Sequence, residues 1–184
     1  MNTPPLETED FDTLIVGAGL SGIGSAVHLR QRCPDHTFAI LEGRARLGGT
    51  WDLFRYPGVR SDSDMHTLGY AFKPWTGAKA IADGPSILQY IQDTAAEHGL
   101  LPHIRLGHRV TAAAWSGAQA RWLLTVERGA DRAPLQMRCR FLLVCSGYYN
   151  YAHGYTPAFA GQDQFAGRVV HPQDWPADLD VRNK

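Results

Sequence analysis

Cysteine is scarce in this chain: Cys33, Cys139 and Cys145 are the three present, and no two form a C-x-x-C pair. An odd count without close spacing excludes a disulfide framework and favours reduced, mostly buried thiols. The eight histidines show no H-E-x-x-H or other compact ligand spacing, so the sequence predicts no metal. Charge of one sign is not in excess either, with 18 Lys+Arg against 18 Asp+Glu and an isoelectric point near 7.1. With that balance nothing points to nucleic acid or to an anionic membrane surface. Long apolar runs are missing as well. The strongest, residues 141–145, is far too short to cross a bilayer, and the acidic start at residues 1–10 lacks the basic and apolar regions of a signal peptide. A cytoplasmic location is the expectation. What remains, 184 residues of 44% hydrophobic content without an internal repeat, suits one soluble globular domain or one and a fraction.

Glycine, by contrast, is well supplied, and three residues fall in Gly17-Ala18-Gly19-Leu20-Ser21-Gly22 directly after the apolar run Thr13-Leu14-Ile15-Val16. A bare G-x-G-x-x-G says little because glycine is common. Here a second apolar run, Phe38-Ala39-Ile40-Leu41, ends on Glu42, twenty positions beyond Gly22. Strand, glycines, helix, strand and acidic residue thus stand in the order of a dinucleotide-binding βαβ unit. Gly17 allows the tight turn, Gly19 lets the backbone approach a pyrophosphate, and Gly22 lets helix and strand pack closely. The helix N-terminus offers N–H groups and a positive dipole end to the phosphates. Glu42 would accept hydrogen bonds from ribose hydroxyls, and its charge repels a 2′-phosphate, so FAD or NAD remains and NADP is disfavoured.

Periodicity predicts a strand over residues 13–16, a helix over 21–32 that stops before Pro34, and a strand over 37–41. Residues 43–84 show no clean period and carry Gly48-Gly49, Tyr56-Pro57-Gly58 and clustered aromatics. They read as a long ordered loop with short helical turns, and loops of this length are usually functional. Asp83-Gly84-Pro85-Ser86 then opens a scaffold helix with Ile87, Leu88, Ile91 and Ala95 on one face and Gly99 as its stop. Extended segments follow at 104–106, 110–115, 122–126 and 135–146, with a turn at 129–132. Together they predict a β-meander feeding a buried strand over 141–145. Residues 148–184, rich in Tyr, Pro, Gly and Asp, read as connecting chain.

The long loop contains Leu47-Gly48-Gly49-Thr50-Trp51-Asp52-Leu53-Phe54-Arg55-Tyr56-Pro57-Gly58-Val59-Arg60-Ser61-Asp62-Ser63-Asp64. Paired glycines followed by a hydroxyl residue let backbone pass close to a flat cofactor, and Trp51 and Tyr56 could wall a ring system off from water. Taken alone, such aromatics read as core packing. A third region, residues 165–176, has the pattern F-x-G-x-x-x-H-x-x-x-W-P, carried by Phe165, Gly167, His171, Trp175 and Pro176.

These three regions together resemble the flavin-containing monooxygenases of the Baeyer-Villiger type, whose fingerprint is that last pattern and whose flavin domain carries G-G-T-W and R-Y-P-G-x-R-x-D runs. Residues 49–65 and the later Cys145-Ser146-Gly147-Tyr148-Tyr149-Asn150-Tyr151 are most similar to the branch that includes the ethionamide-activating monooxygenases of mycobacteria. The resemblance covers essentially the whole chain. It implies an α/β fold, a Rossmann-like FAD-binding domain of parallel sheet, helices and β-meander. It divides the chain into a tail over 1–11, the N-terminal part of the FAD-binding domain over 12–150, and a fingerprint-bearing connecting segment over 151–184.

By the same resemblance the cofactors are FAD here and NADPH as electron donor. Oxygen from O2 then passes through a peroxyflavin into a ketone or onto sulfur or nitrogen of a small organic substrate. Gly17, Gly19, Ser21 and Gly22 would hold the pyrophosphate, and Glu42 the ribose. Gly49, Thr50, Trp51, Asp52 and Leu53 would flank the flavin, Val110 would meet the adenine through its backbone, and Ser146 and Gly147 would pass near the adenosine diphosphate. Arg60, Ser61 and Asp62 match positions on the nicotinamide side, with Arg60 and Asp62 as the catalytic candidates. Asp62 would orient an arginine or the nicotinamide amide; a loop-capping carboxylate is its plain alternative. His171 and Trp175 are read as residues that couple domain movement to catalysis.

The chain departs from the family in carrying no second glycine-rich βαβ pattern for NADPH. The expectation is therefore an FAD-binding portion whose missing part, or a partner chain, completes the enzyme and covers apolar surface left open here. A non-catalytic flavin-binding module is the alternative. A short-chain dehydrogenase is disfavoured, because no tyrosine has a lysine four residues later.

Overall fold

The computed structural model describes residues 8–182, so the first seven residues of the expected tail and the last two of the chain lie outside it. Six strands form one sheet: β1 (Thr8–Val16), β2 (Phe38–Glu42), β3 (Ile104–Leu106), β4 (His108–Ser116), β5 (Arg121–Arg128) and β6 (Ala133–Val144), in the order β3-β2-β1-β6-β5-β4. The pairs from β3 to β6 are parallel, and those from β6 through β5 to β4 are antiparallel. This is a Rossmann-like half-sheet continued by the expected meander.

Period-two alternation sorts the two inner strands between two cores. Ile15, Phe38 and Ile40 face the helices α1 (Leu20–Arg32) and α4 (Gly84–Glu97), packing on Ile23, Val27, Ile87 and Ile91. Leu14, Ala39 and Leu41 face the other way, onto Leu124, Val126, Leu135 and Met137 of the meander. Strand β2 is buried along its whole length because both faces are covered. It also touches β4, although three strands separate the two in the order, so the sheet bends back over its own rear face.

Two expectations need correction. Strand β1 begins at Thr8 and not at Thr13, because residues 8–11 pair with residues 136–139 of β6. Ion pairs hold this polar half, with Arg105 to Glu9 at 2.7 Å and Arg138 to Asp10 at 3.0 Å. The apolar run over 141–145 is not a buried strand: Phe141 is 54% and Val144 69% exposed. The cause is register. Residues 136–139 of β6 lie between β1 and β5, whereas from Phe141 onward β6 pairs with β1 alone among the described strands.

The long loop holds the expected short helical turns, α2 (Thr50–Leu53) and α3 (Met65–Leu68). Tyr70 fastens it to the scaffold by donating from its hydroxyl to Leu20 O at 2.6 Å and stacking on Tyr90 and Phe72 at 5.4 and 4.8 Å. Burial pushes the Tyr70 phenol far above its ordinary range. It therefore stays a neutral donor to the carbonyl in the first turn of α1.

Candidate functional site

At the C-terminal ends of β1, β2 and β6 the chain encloses a cavity of about 740 Å³. This is where open α/β sheets bind ligands. Gly17 turns the chain out of β1 at φ +104° and donates its N–H to Leu41 O at 2.8 Å. A Cβ at Gly17 would stand 2.4 Å from Cys145 O, and one at Gly22 would stand 1.9 Å from Gly17 O. Turn, helix and the end of β6 are therefore packed backbone to backbone, which no side chain at either position allows. Gly19 differs: its ideal Cβ would lie 3.4 Å from the Cα of Gly49, across the cavity wall.

The four α-helices among the described residues divide by their caps. Asp64 caps α3 by accepting from Thr67 N at 2.9 Å, and Asp83 caps α4 by accepting from Ser86 N at 2.9 Å. Helices α1 and α2 start at Gly19 and Gly49 with no side-chain cap, and both starts line the cavity. The first turn of α1 thus presents its N–H groups and the positive end of the helix dipole to the cavity.

Glu42 is 8% exposed and fixes the opposite side. Its Oε2 accepts from Ala18 N and its Oε1 from Arg44 N, both at 2.9 Å. Each oxygen keeps a lone pair for a ligand hydroxyl. Ser21, Thr50, Trp51, Ser61, Asp62, Val110, Ser146 and Gly147 also line the cavity. Val110 stands where β4 loses register with β5, and this bulge interrupts the ladder at the cavity wall.

Several expected site residues lie elsewhere. Gly22 supports the turn from behind. Asp52 and Leu53 are not in the cavity wall; Asp52 is 2% exposed and pairs with Arg44, Arg46 and Arg55 at 2.6, 2.9 and 2.8 Å. One carboxylate thus ties three points of the loop together. Arg60 lines a second cavity of about 630 Å³ with Tyr56, Gly58 and Ile81, and Ser61 and Asp62 border both cavities. Of the two aromatics expected to form a wall, Trp51 borders the first cavity and Tyr56 the second. Phe165, Gly167, His171, Trp175 and Pro176 stand outside both linings, and Phe165 is 62% exposed.

Sequence reasoning missed Arg44, His108, Arg109, Asn150 and Tyr151 in the wall. Burial, and then the Glu42 carboxylate, raise the Tyr151 phenol above its ordinary value, so it remains a neutral donor. The Arg44 guanidinium lies 5.5 Å over its ring. The basic positions 44 and 109 stand beside Glu42 and Val110, a signal that could have been read beside the acidic residue.

Residues 15–78 match the NAD(P)-binding Rossmann-like domain family. An FAD-containing monooxygenase of Mycolicibacterium smegmatis, EthA, is 60% identical over 177 residues, which cover 96% of this chain and 36% of that protein. The EthA of Mycobacterium tuberculosis is 56% identical over the same span. The chain is a relative of the FAD-containing monooxygenases. It spans about a third of the length of the curated relatives it matches. Among solved structures, an oxidized steroid monooxygenase bound to NADP shares 33% identity at a TM-score of 0.75, with 92% of this chain and 32% of that one covered. An open cyclohexanone monooxygenase aligns at a TM-score of 0.77 with 26% identity, covering 94% of this chain and 33% of that one. The likeness to these monooxygenases covers more than nine tenths of this chain. Among the described residues no helix is long and apolar enough to cross a membrane, and no group of three or more His, Cys, Asp or Glu could hold a metal ion.

Proposed function

We propose that the cavity binds FAD and that the chain is the flavin-binding portion of an NADPH-dependent monooxygenase. That enzyme would insert one oxygen atom of O2 into a ketone or onto sulfur or nitrogen of a small organic molecule. The observation that carries this reading is one continuous cavity reaching from Glu42 past Gly19 and Gly49 to Asp62. An elongated dinucleotide fits that course: ribose hydroxyls at Glu42, diphosphate at the uncapped start of α1 between the facing glycines, and a flat ring system beside Thr50 and Trp51. Glu42 speaks against a 2′-phosphate at this site, and so for FAD over NADP.

When bound, the flavin supplies the redox chemistry, taking up a hydride from NADPH and passing on one oxygen atom of O2 while the other leaves as water. The chain's own part is to bind, orient and keep water out. Asp62 and Ser61 stand at the junction of the two cavities and Arg60 in the wall of the second, which supports reading Asp62 and Ser61 beside the reactive edge of the ring system and Arg60 on the nicotinamide side. Phe54 stacks edge-on with Tyr149 at 5.0 Å and Tyr56 at 6.3 Å, an aromatic screen between the loop and the end of β6. The other reading, a flavin-binding module without turnover of its own, is favoured by the single glycine-rich βαβ unit in the sequence.

The visible spectrum of the purified chain, followed by addition of NADPH under air, tests both. Stoichiometric yellow colour is the expected result, and a colourless chain that takes up no FAD on titration overturns the assignment. Substrate-dependent NADPH oxidation by this chain would reject the module reading. Colour without oxidation supports it for the chain alone.

A further inference from the structure

We propose that Gln173, a position the fingerprint pattern leaves open, is a positioning residue that latches one wall of the cavity; its effect on flavin rests on the FAD reading above. The fixed letters of the pattern stand outside the cavity, yet the segment reaches the wall through this side chain. Gln173 Nε2 donates to Asn150 O at 2.9 Å, a link across 23 positions of sequence. Asn150 lines the cavity, and its Oδ1 accepts from Ala152 N at 2.9 Å. The latch therefore grips a turn that is already closed on itself.

His171 sets the other jaw. Its Nδ1 accepts from Gln173 N at 3.1 Å, and its ring lies so near Gly154 that a Cβ there would stand 2.0 Å from Cε1. The wall segment is thus held at both ends, by Gln173 on Asn150 and by His171 on Gly154. Between them sits Tyr151, whose hydroxyl comes within 3.7 Å of a Cβ built on Gly49 and 3.9 Å of one built on Gly147. A shift at Gln173 would pass to Tyr151 and so to the glycine-lined stretch where the diphosphate is placed. Fixing a wall before the ligand arrives lowers the ordering cost of binding.

The test compares the unaltered chain with Gln173→Ala, Gln173→Met and Gln173→Lys. Methionine keeps the length without a donor, and lysine restores an N–H donor. FAD affinity and release are read by flavin fluorescence, and amide hydrogen exchange over residues 148–152 is read in the flavin-free chain. Loss of one hydrogen bond of modest net worth predicts about three- to tenfold weaker FAD binding for Ala and Met. Faster exchange over 148–152 with an unchanged melting temperature should accompany it, and Lys should recover most of the affinity. If Gln173→Ala fails to fold, the Met and Lys pair decides. Unaltered affinity and exchange in Gln173→Met overturn the latch. An unaltered chain that takes no FAD while exchange still responds to Gln173→Met overturns the FAD reading and leaves the latch standing.

Discussion

Gly19 and Gly22 lie one helical turn apart and answer to different demands. Gly22→Ala must displace the Gly17 carbonyl, since its Cβ would stand 1.9 Å from that oxygen. A stability loss of about 1–3 kcal/mol is expected from such overpacking. Gly19→Ala meets nothing closer than 3.4 Å, so it should cost no more than about 1 kcal/mol as a poorer N-cap. Its methyl would nonetheless stand between the facing glycines and weaken FAD binding at least tenfold. Thermal melting beside FAD titration separates the two, and equal losses in both variants would contradict the division. Asp52 shows where the sequence stopped being readable. Its place in the Gly49-to-Asp64 run suggested the flavin side, but its partners are arginines on both sides of it, and burial decides between a ligand contact and an anchor. Removing a buried ion-pair partner costs about 3–5 kcal/mol; Arg46 and Arg55 are 59% and 55% exposed. Asp52→Ala should therefore lose about 2–3 kcal/mol in denaturant unfolding.

At the scale of elements, the caps make a pH prediction. Accepting the Ser86 N–H holds the Asp83 carboxyl below its ordinary 3.8, and accepting from the Thr67 side chain and N–H does the same for Asp64. A lowered folded-state value means stability that is complete above the unfolded value and lost as pH falls through the folded one. Melting temperature should accordingly drop below about pH 4 as these carboxylates protonate. Asp83→Asn, which keeps an acceptor, should flatten its share of that drop, whereas Asp83→Ala should cost about 1 kcal/mol at neutral pH. Helix α4 was legible because its signal is local: Asp83, Pro85 and the spacing of Ile87, Ile91 and Ala95. The glycine turn was legible for the same reason. The first half of β1 was not, since a polar stretch becomes strand there through pairing with residues 136–139. Burial of residues 141–145 was misjudged because an apolar run reports a preference, while the extent of β5 decides what covers it. Of the cavity wall, Gly17, Gly19, Glu42, Gly49, Thr50, Trp51, Ser61 and Asp62 could be named in advance; Tyr151 gains its place there through tertiary contacts alone.

For the whole molecule, the exposed apolar residues Phe141, Leu143 and Val144 stand on an edge of β6 left open among the described residues. An unpaired apolar strand edge templates association. The chain on its own should bind an apolar dye and associate as concentration rises, and Phe141→Gln with Val144→Gln should suppress both without lowering the melting temperature. Light scattering against concentration checks this. Strand β6 has a consequence in time as well as in space. Its partner β1 is made first, yet the pairing of Thr8 with Gln136 and Val16 with Val144 waits until more than a hundred further residues exist. Contacts this distant in sequence form late and slowly. A growing chain therefore displays the βαβ unit early with one flank of β1 bare, where a chaperone could be needed. The far wall of the cavity, Ser146 and Gly147, arrives with the same strand that closes the sheet. A half-made chain has the glycine turn but nothing to hold against it.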